Sequence, residues 1–307
     1  MLKTELVEMT CPTGIFLGVD CTAGGGGHTA LMSSKLISGG KIVAIDRDPQ
    51  AVNHLVKRFS TEIDEGSIKV VNGRFSEIQS IISTETQKPN AIIADLGVSS
   101  PQLDQQDRGF SFSSDGPLDM RMDPTQGQSA AELVNCLEEQ ELMRIIKTYG
   151  EEPKAKFVAK AIVEARGQTP IVTTKQLADI ISTSIRYKEK SKKHPATKTF
   201  QAIRIQVNEE LKEVEELMES AFDSLAPKGR LGIITFHSLE DRIVKKYFQK
   251  LSKVDVPRDI PLTHAQIQQS SNIRGKIIKP FPCNPSDNET SINPRARSAK
   301  LRVIEKL

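Results

Sequence analysis

Asp20-Cys21-Thr22-Ala23-Gly24-Gly25-Gly26-Gly27-His28 follows an apolar run containing Ile15, Phe16, Leu17 and Val19, and leads into Thr29-Ala30-Leu31-Met32. That order predicts a strand, a glycine loop and the start of a helix. Farther on, Ile42-Val43-Ala44-Ile45-Asp46-Arg47-Asp48 reads as a short apolar strand ending in an acid. The separation, roughly twenty residues, is that at which nucleotide-binding α/β folds set a carboxylate against a ribose. Glycines allow a sharp turn and let a ligand approach the backbone without interference from Cβ atoms. The carboxylate can accept hydrogen bonds from both ribose hydroxyls. An adenosine-like ligand is the expectation.

These two signals do not separate a dinucleotide from S-adenosylmethionine. A dinucleotide fingerprint, G-x-G-x-x-G, uses its last glycine for close helix–sheet packing. Counted from Gly24 that position is Thr29, and from Gly25 it is Ala30, which only the looser form of the pattern allows.

Strand and helix signals alternate through the first third of the chain. Ile15–Asp20 is a first strand, with a helix over Thr29–Ser38. Lys41–Asp46 is a second strand, and Pro49 is well placed to begin a helix. Ile68–Val71 is a third strand, Glu77–Ile82 opens another helix, and Ala91–Asp95 is a fourth strand running into Leu96-Gly97-Val98-Ser99-Ser100-Pro101-Gln102. Such alternation implies a parallel sheet with helices on both faces, whose ligands sit beyond the carboxyl ends of the strands. Asp20, Asp46 and Asp95 all end expected strands, so three acids converge on one edge.

The rhythm then changes. From Asp107 to Asn208 no strand stands out, and helical stretches are expected at Ala130–Cys136, Glu138–Tyr149, Lys154–Ala165 and Thr174–Ile185. Glu209–Leu225 then carries Leu211, Val214, Leu217, Met218, Ala221 and Phe222 as one apolar stripe at helical spacing. Pro227-Lys228-Gly229 turns into a fifth strand, Arg230–Phe236, and Leu239–Leu251 is a further helix. The closing stretch reads as loop-rich, with strand-like pieces near Lys276–Ile278 and Leu301–Ile304. The expected organisation is an α/β core in two parts, 1–106 and 209–307, around an inserted helical domain, 107–208.

Composition narrows the class. A chain of 307 residues with 37% hydrophobic and 26% charged residues can bury a substantial core as one large or two modest domains. Cys11, Cys21, Cys136 and Cys283 form no C-x-x-C pair, which argues against a zinc site or a disulfide framework and fits a reducing cytoplasm. Neither a signal-peptide core nor a membrane-length apolar run is present. The net charge of +3 is too small to attract a polyanion by itself, so any such affinity rests on local patches. Two exist. Lys188, Lys190, Lys192, Lys193 and Lys198 lie between Arg186 and Arg204 with the single acid Glu189, and Arg295, Arg297, Lys300 and Arg302 cluster near the end. Either can neutralise phosphates, or can be a solvated face paired with the Glu-rich helix at 209–219.

Single residues add detail. His28, directly after the glycines, is read as a ligand contact. His237, Ser238 and Asp241 superficially suggest a hydrolase triad, but triad members come from separate elements and no nucleophile-elbow sequence surrounds Ser238. Ser238 is expected as the N-cap of the following helix, with Asp241 completing a near capping box. His237, Glu240 and Asp241 match no familiar metal-ligand spacing, and no metal is expected.

Several blocks together carry a family resemblance. They are Asp20–His28, Ala44–Pro49, Asp95–Asp104, Arg108-Gly109-Phe110-Ser111-Phe112, Asp115–Asp123, Lys193–Ala202, Phe236–Lys245 and Asn293-Pro294-Arg295-Ala296-Arg297-Ser298. In this order, across nearly the whole chain, they resemble the bacterial ribosomal RNA small-subunit methyltransferase H family, also called MraW. The family usually opens with a His-x-Pro-Val segment before the first strand, and this sequence begins at Met1-Leu2-Lys3 without it, so its N-terminus reads as shortened. The resemblance implies a Rossmann-like seven-stranded methyltransferase sheet with an inserted all-helical domain. It implies S-adenosyl-L-methionine as cofactor, and as reaction the methylation of the N4 amine of cytidine 1402 in 16S rRNA of the small ribosomal subunit, in the cytoplasm. The family's cofactor contacts fall on Gly26, Gly27, His28, Asp46, Phe75, Asp95 and Gln102, and the insertion is where rRNA would be recognised. Asp95 is the expected catalytic residue. It holds the place occupied in other aminomethyltransferases by an Asp-Pro-Pro-Tyr-type motif, which is absent here. The rival classes are a nicotinamide-dependent oxidoreductase, a non-catalytic RNA-binding factor, and a methyltransferase acting on a DNA or protein amine.

Overall fold

The computed structural model of the chain describes residues 1–185, 194–253 and 273–307. Most of the first basic patch, Lys188, Lys190, Lys192 and Lys193 with Arg186 and Glu189, lies outside the described residues. Two compact units divide the chain. One joins Met1–Gly97 to Leu211–Leu307, and the other is Val98–Glu210, against the 107–208 drawn from sequence.

The first unit is a sheet of β1 (Ile15–Asp20), β2 (Leu36–Asp46), β3 (Ile68–Asn72), β4 (Ala91–Asp95), β5 (Arg230–Thr235), β6 (Gly275–Cys283) and β7 (Lys300–Lys306). Its order is β3-β2-β1-β4-β5-β7-β6. The pairs among β1 to β5 are parallel, and β7 runs antiparallel between β5 and β6. This is the seven-stranded methyltransferase sheet expected from the family resemblance. Helices α1 (Lys3–Thr10), α2 (Gly27–Ser33), α3 (Pro49–Arg58), α4 (Ser60–Asp64) and α5 (Ile78–Ile81) accompany the first four strands.

Successive residues of a strand face opposite sides of the sheet, so a sheet buried on both faces needs apolar residues at nearly every position. Val43 and Ile45 of β2, and Ile92 and Ala94 of β4, join one core cluster. Their neighbours Ile42, Ala44, Ala91 and Ile93 join the other. Leu6, Val7, Met32 and Leu55 of α1, α2 and α3 cover the second face. The first face is covered by Ile78 and by Val214, Leu217, Phe222, Val244 and Phe248 of the two helices flanking β5.

Several element boundaries differ from the sequence reading. The helix drawn over Thr29–Ser38 ends at Ser33, and β2 starts at Leu36 rather than Lys41. Leu36 pairs with Ile15, and the register then slips before Leu17 meets Lys41. The Ser38-Gly39-Gly40 stretch, between the expected helix end and the expected strand start, is part of the strand because pairing uses backbone groups that glycine supplies. Helix α1 was not anticipated. Its anchor is Gly232 of β5, where an added Cβ would run into Thr10. The strand-like piece near Lys276 extends to Cys283 despite Pro280 and Pro282, because β6 is an edge strand, where missing N–H donors are tolerated.

The second unit contains α6 (Ser100–Asp104), α7 (Ala130–Cys136), α8 (Glu139–Gly150), α9 (Ala155–Arg166), α10 (Thr174–Ser184) and α11 (Ala196–Asn208). Its only β-pairing among the described residues is an isolated bridge, Pro117 to Thr173. Leu133, Leu142, Ile146, Val158, Ile162, Leu177, Ile181, Phe200 and Ile203 form its own core. Helix α11 was missed in the sequence because its stripe, Ala196, Thr199, Phe200 and Ile203, includes a threonine and lies beside a charged stretch. The chain returns to the sheet through α12 (Glu210–Ser224), and α13 (Ser238–Ser252) and α14 (Asp287–Ile292) complete the order. No helix of the described residues is long and apolar enough to cross a membrane.

Phe222 is fully buried in the cluster beneath β5. Phe222→Ala is expected to lower stability by roughly 3–5 kcal/mol, read by denaturant unfolding of the whole chain. A loss below about 1 kcal/mol would mean that α12 does not close that face.

Candidate functional site

β1, β2 and β4 are neighbours in the sheet, so their terminal acids Asp20, Asp46 and Asp95 share its carboxyl edge. Each is used differently. Asp20 is buried, with Oδ2 accepting the Thr29 hydroxyl at 2.7 Å and Oδ1 accepting the Thr22 N–H at 3.2 Å. Burial raises its pKa to about 6, against the opposing effect of those donors. Asp20 therefore fixes the start of the glycine loop from inside.

Asp46 fixes it from the side. Its Oδ2 accepts the Gly24 N–H at 2.7 Å, and its Oδ1 accepts the Asp48 N–H at 2.9 Å. Burial pushes its carboxyl above the usual range, offset by those two backbone donors. Each carboxylate oxygen offers a second lone pair, so both can still receive a ribose hydroxyl. β3 is tied to the same turn through the Asn72 side-chain amide, which donates to the Asp46 and Arg47 carbonyls at 3.1 and 3.3 Å. Phe75 follows in a short 3-10 turn, Phe75–Glu77, with its ring half-buried against the main core.

Gly26 caps α2 with φ 75°, and a Cβ there would strike Phe59 and Leu55. Only glycine satisfies both constraints. At Gly25 and Gly27 an added Cβ would meet nothing, so the loop borders open space on that side. His28 Nε2 lies 3.3 Å from the Met1 carbonyl, and its Nδ1 lies 3.9 Å from Asp95 Oδ2. Burial and the Met1 ammonium lower its pKa to about 4, so it is neutral at physiological pH.

Asp95 ends β4. Its N–H donates to the Thr22 hydroxyl at 2.7 Å, and its Oδ2 lies 3.5 Å from the Met1 ammonium. Its Oδ1 is buried without a hydrogen-bond partner. Burial raises the carboxyl to about 7, with Asp20 and Glu240 adding like-charge repulsion and the ammonium opposing. An orphaned buried acceptor is uncommon and marks a place where a ligand donor fits.

Gly26, Gly27, His28, Asp46, Phe75 and Asp95 thus all belong to the sheet unit, whereas Gln102 belongs to the helical one. There Gln102 is buried in α6 and its side-chain oxygen accepts the Ser99 N–H at 3.0 Å, as the third residue of a capping box. Thr22 and Thr29 were not singled out in the sequence, and Glu240 was weighed there only as a metal ligand. Thr22 and Thr29 flank the glycines, and such hydroxyls beside a buried acid are the signal that could have found them.

Two expectations are corrected. The N-cap of α13 is His237, not Ser238, and the capping box is His237 with Glu240 rather than Ser238 with Asp241. Glu240 Oε2 accepts the Phe236 N–H at 2.9 Å, and Oε1 lies 3.0 Å from His237 Nε2. Asp241 instead receives Arg302 Nε at 2.8 Å and Lys300 Nζ at 3.3 Å, and the Arg302 guanidinium stacks 4.3 Å from the Phe281 ring centroid. Two members of the second basic patch are therefore structural, leaving Arg295 and Arg297 exposed beside them.

The model of the MraW methylase family matches residues 1–307. The chain belongs to the MraW methylase family. Among solved structures it is similar to a candidate rRNA methylase from Clostridium thermocellum, at 10% identity over 99% of this chain and 94% of that one, with a TM-score of 0.45. It is also similar to a candidate methyltransferase from Streptococcus mutans in complex with SAH, at 12% identity over 100% and 96%, TM-score 0.43. An rRNA methylase from Streptococcus thermophilus shows 12% identity over 99% and 93%, TM-score 0.42.

As an MraW-family methylase the chain is an S-adenosylmethionine-dependent methyltransferase. Its edge fits that cofactor: Asp46 offers two acceptors to a diol, Gly25 and Gly27 leave room beside the loop, and Asp95 holds an unused acceptor. Asp46→Ala is expected to weaken S-adenosylmethionine binding by roughly 1.5–3 kcal/mol, measured by calorimetry on the folded variant. Unchanged affinity would remove Asp46 from the ribose.

Proposed function

We propose that this methyltransferase modifies the exocyclic N4 amine of a cytidine in 16S rRNA, at the position the family resemblance implies, within the small ribosomal subunit in the cytoplasm. The observation that carries this reading is Asp95 Oδ1, a buried acceptor without a partner at the end of β4. A cytosine amine is a poor nucleophile because its lone pair is delocalised into the ring. Bound S-adenosylmethionine supplies a methyl group already activated by a sulfonium. What the protein must add is geometry. Asp95 accepts a hydrogen bond from one amine proton, holding the nitrogen pyramidal with its lone pair directed at the methyl, and can then receive the proton the amine sheds. Positioning of this kind can supply most of the rate enhancement, since the sulfonium methyl is already activated. Asp46 and the glycine loop fix the adenosine end, Phe75 packs on the adenine, and Gly26, Gly27 and His28 line the loop side. The target base must be unstacked, a task we assign to the helical unit. The direct test is mass spectrometry of 16S rRNA fragments from cells with and without the gene, where the N4-methyl mark should vanish with the gene.

The Asp95 carboxyl at about 7 gives this mechanism a pH signature. Acting as an acceptor it must be ionised, so turnover at saturating cofactor should rise as pH passes through about 7. Stability moves the other way. An acid whose pKa is raised on folding binds its proton more tightly in the folded state, so its contribution is present at low pH and lost as pH rises from 3.8 to about 7. Asp95→Asn should therefore abolish most turnover, flatten the pH profile and raise the melting temperature at pH 8 relative to wild type. Equal losses of cofactor affinity and saturated rate would reduce Asp95 to a binding residue.

A further inference from the structure

The helical unit carries an exposed aromatic ring among lysines on a helix that is otherwise well packed. α9 buries Ala155, Val158, Ala159 and Ile162, and turns Lys154, Lys156, Phe157 and Lys160 outward. Phe157 is 63% exposed, a large apolar surface that the helix does not need for its own packing. Ala155 and Val158 on either side already fill the core, so Phe157 is not a displaced core residue. Lys154 and Lys160 stand one helical turn before and after the ring, on the same face, and Lys156 adjoins it. Lys160 meets Glu164 at 3.6 Å, an exposed pair of little energetic weight that yields easily to a phosphate. Lys154 Nζ donates to the Ile185 carbonyl at 3.1 Å.

An exposed ring with lysines one helical turn to either side is suited to an unpaired base, which stacks on the ring while its flanking phosphates meet the lysines. We propose that Phe157, with Lys154, Lys156 and Lys160, is a stacking platform for a single-stranded RNA segment. This rests on the RNA substrate proposed above and extends it, by assigning a contact outside the sheet unit to an unpaired stretch of the substrate rather than to a duplex. A duplex offers no free base face to the ring and would use the lysines alone.

The test is fluorescence anisotropy of the full chain with a labelled short single-stranded RNA at several salt concentrations, with calorimetry of S-adenosylmethionine binding and thermal melting as controls. Phe157→Ala should weaken RNA binding about tenfold, while Phe157→Tyr should bind like wild type. Lys156→Ala and Lys160→Ala should each flatten the salt dependence, by roughly 0.7 in the slope of log affinity against log salt. Cofactor affinity and melting temperature should not move. Wild-type affinity in Phe157→Ala, or an equal loss toward duplex RNA, overturns the platform and leaves the methyltransferase reading intact. Absence of RNA binding by the wild-type chain also overturns the platform, whereas only persistence of the N4-methyl mark in cells without the gene overturns the methyltransferase reading.

Discussion

The carboxylate of Asp46 is the constraint on which the site depends. One oxygen holds the Gly24 N–H and the other the Asp48 N–H, so a single side chain joins the loop after β1 to the turn after β2. Without it the four glycines would have many conformations available and no reason to prefer one. Asp20 repeats the device on the inner side through Thr22 and Thr29. Two acids, Asp20 buried and Asp46 partly so, both with pKa values pushed upward, thereby convert a flexible sequence into a defined loop. Burying them has a cost in folding free energy, and the geometry of the edge is what that cost secures.

The sheet explains how the chain can carry a long insertion without losing this edge. β4 and β5 are parallel neighbours, with Ala91 opposite Arg230 and Asp95 opposite Ile234. The segment from Val98 to Glu210 therefore falls between two strands that are neighbours in the sheet, with α12 leading on to β5, and it brings its own apolar core. On the far side, β7 is locked to α13 by Asp241, which takes Arg302 and Lys300 together. Arg302 is only 3% exposed, so the pair is desolvated, and the Phe281 ring against its guanidinium compensates part of that loss.

Much of this is legible in the amino-acid sequence. The strands ending in Asp20, Asp46 and Asp95 announce themselves because parallel strands buried on both faces are continuous apolar runs, and an acid at the end of such a run is conspicuous. The Leu211–Phe222 stripe gave α12 for the same reason, as periodicity reports burial. What escaped was whatever depends on partners distant in sequence. Leu36–Gly40 is a strand only because Ile15 is beside it, and α1 is held by the space that Gly232 leaves. The cap of α13 was misplaced by one residue because His237 and Ser238 both suit a cap, and only the reach of Glu240 back to Phe236 separates them. Lys300 and Arg302 resemble a surface patch in one dimension, since nothing local reveals that Asp241 awaits them.

The position of β7 has a consequence for the order in which the molecule assembles as it is synthesised. β7 is inserted between β5 and β6, and α1 packs on β5 as well. The earliest helix and the latest strand therefore share one support. While the ribosome is still translating, β5 has its β4 neighbour on one side and an open edge on the other until residues 300–306 emerge. The helical unit is contiguous in sequence and its core draws on no later residue, so it is free to collapse first. The nascent chain thus presents a helical unit with a complete core attached to a sheet whose last strand is still missing.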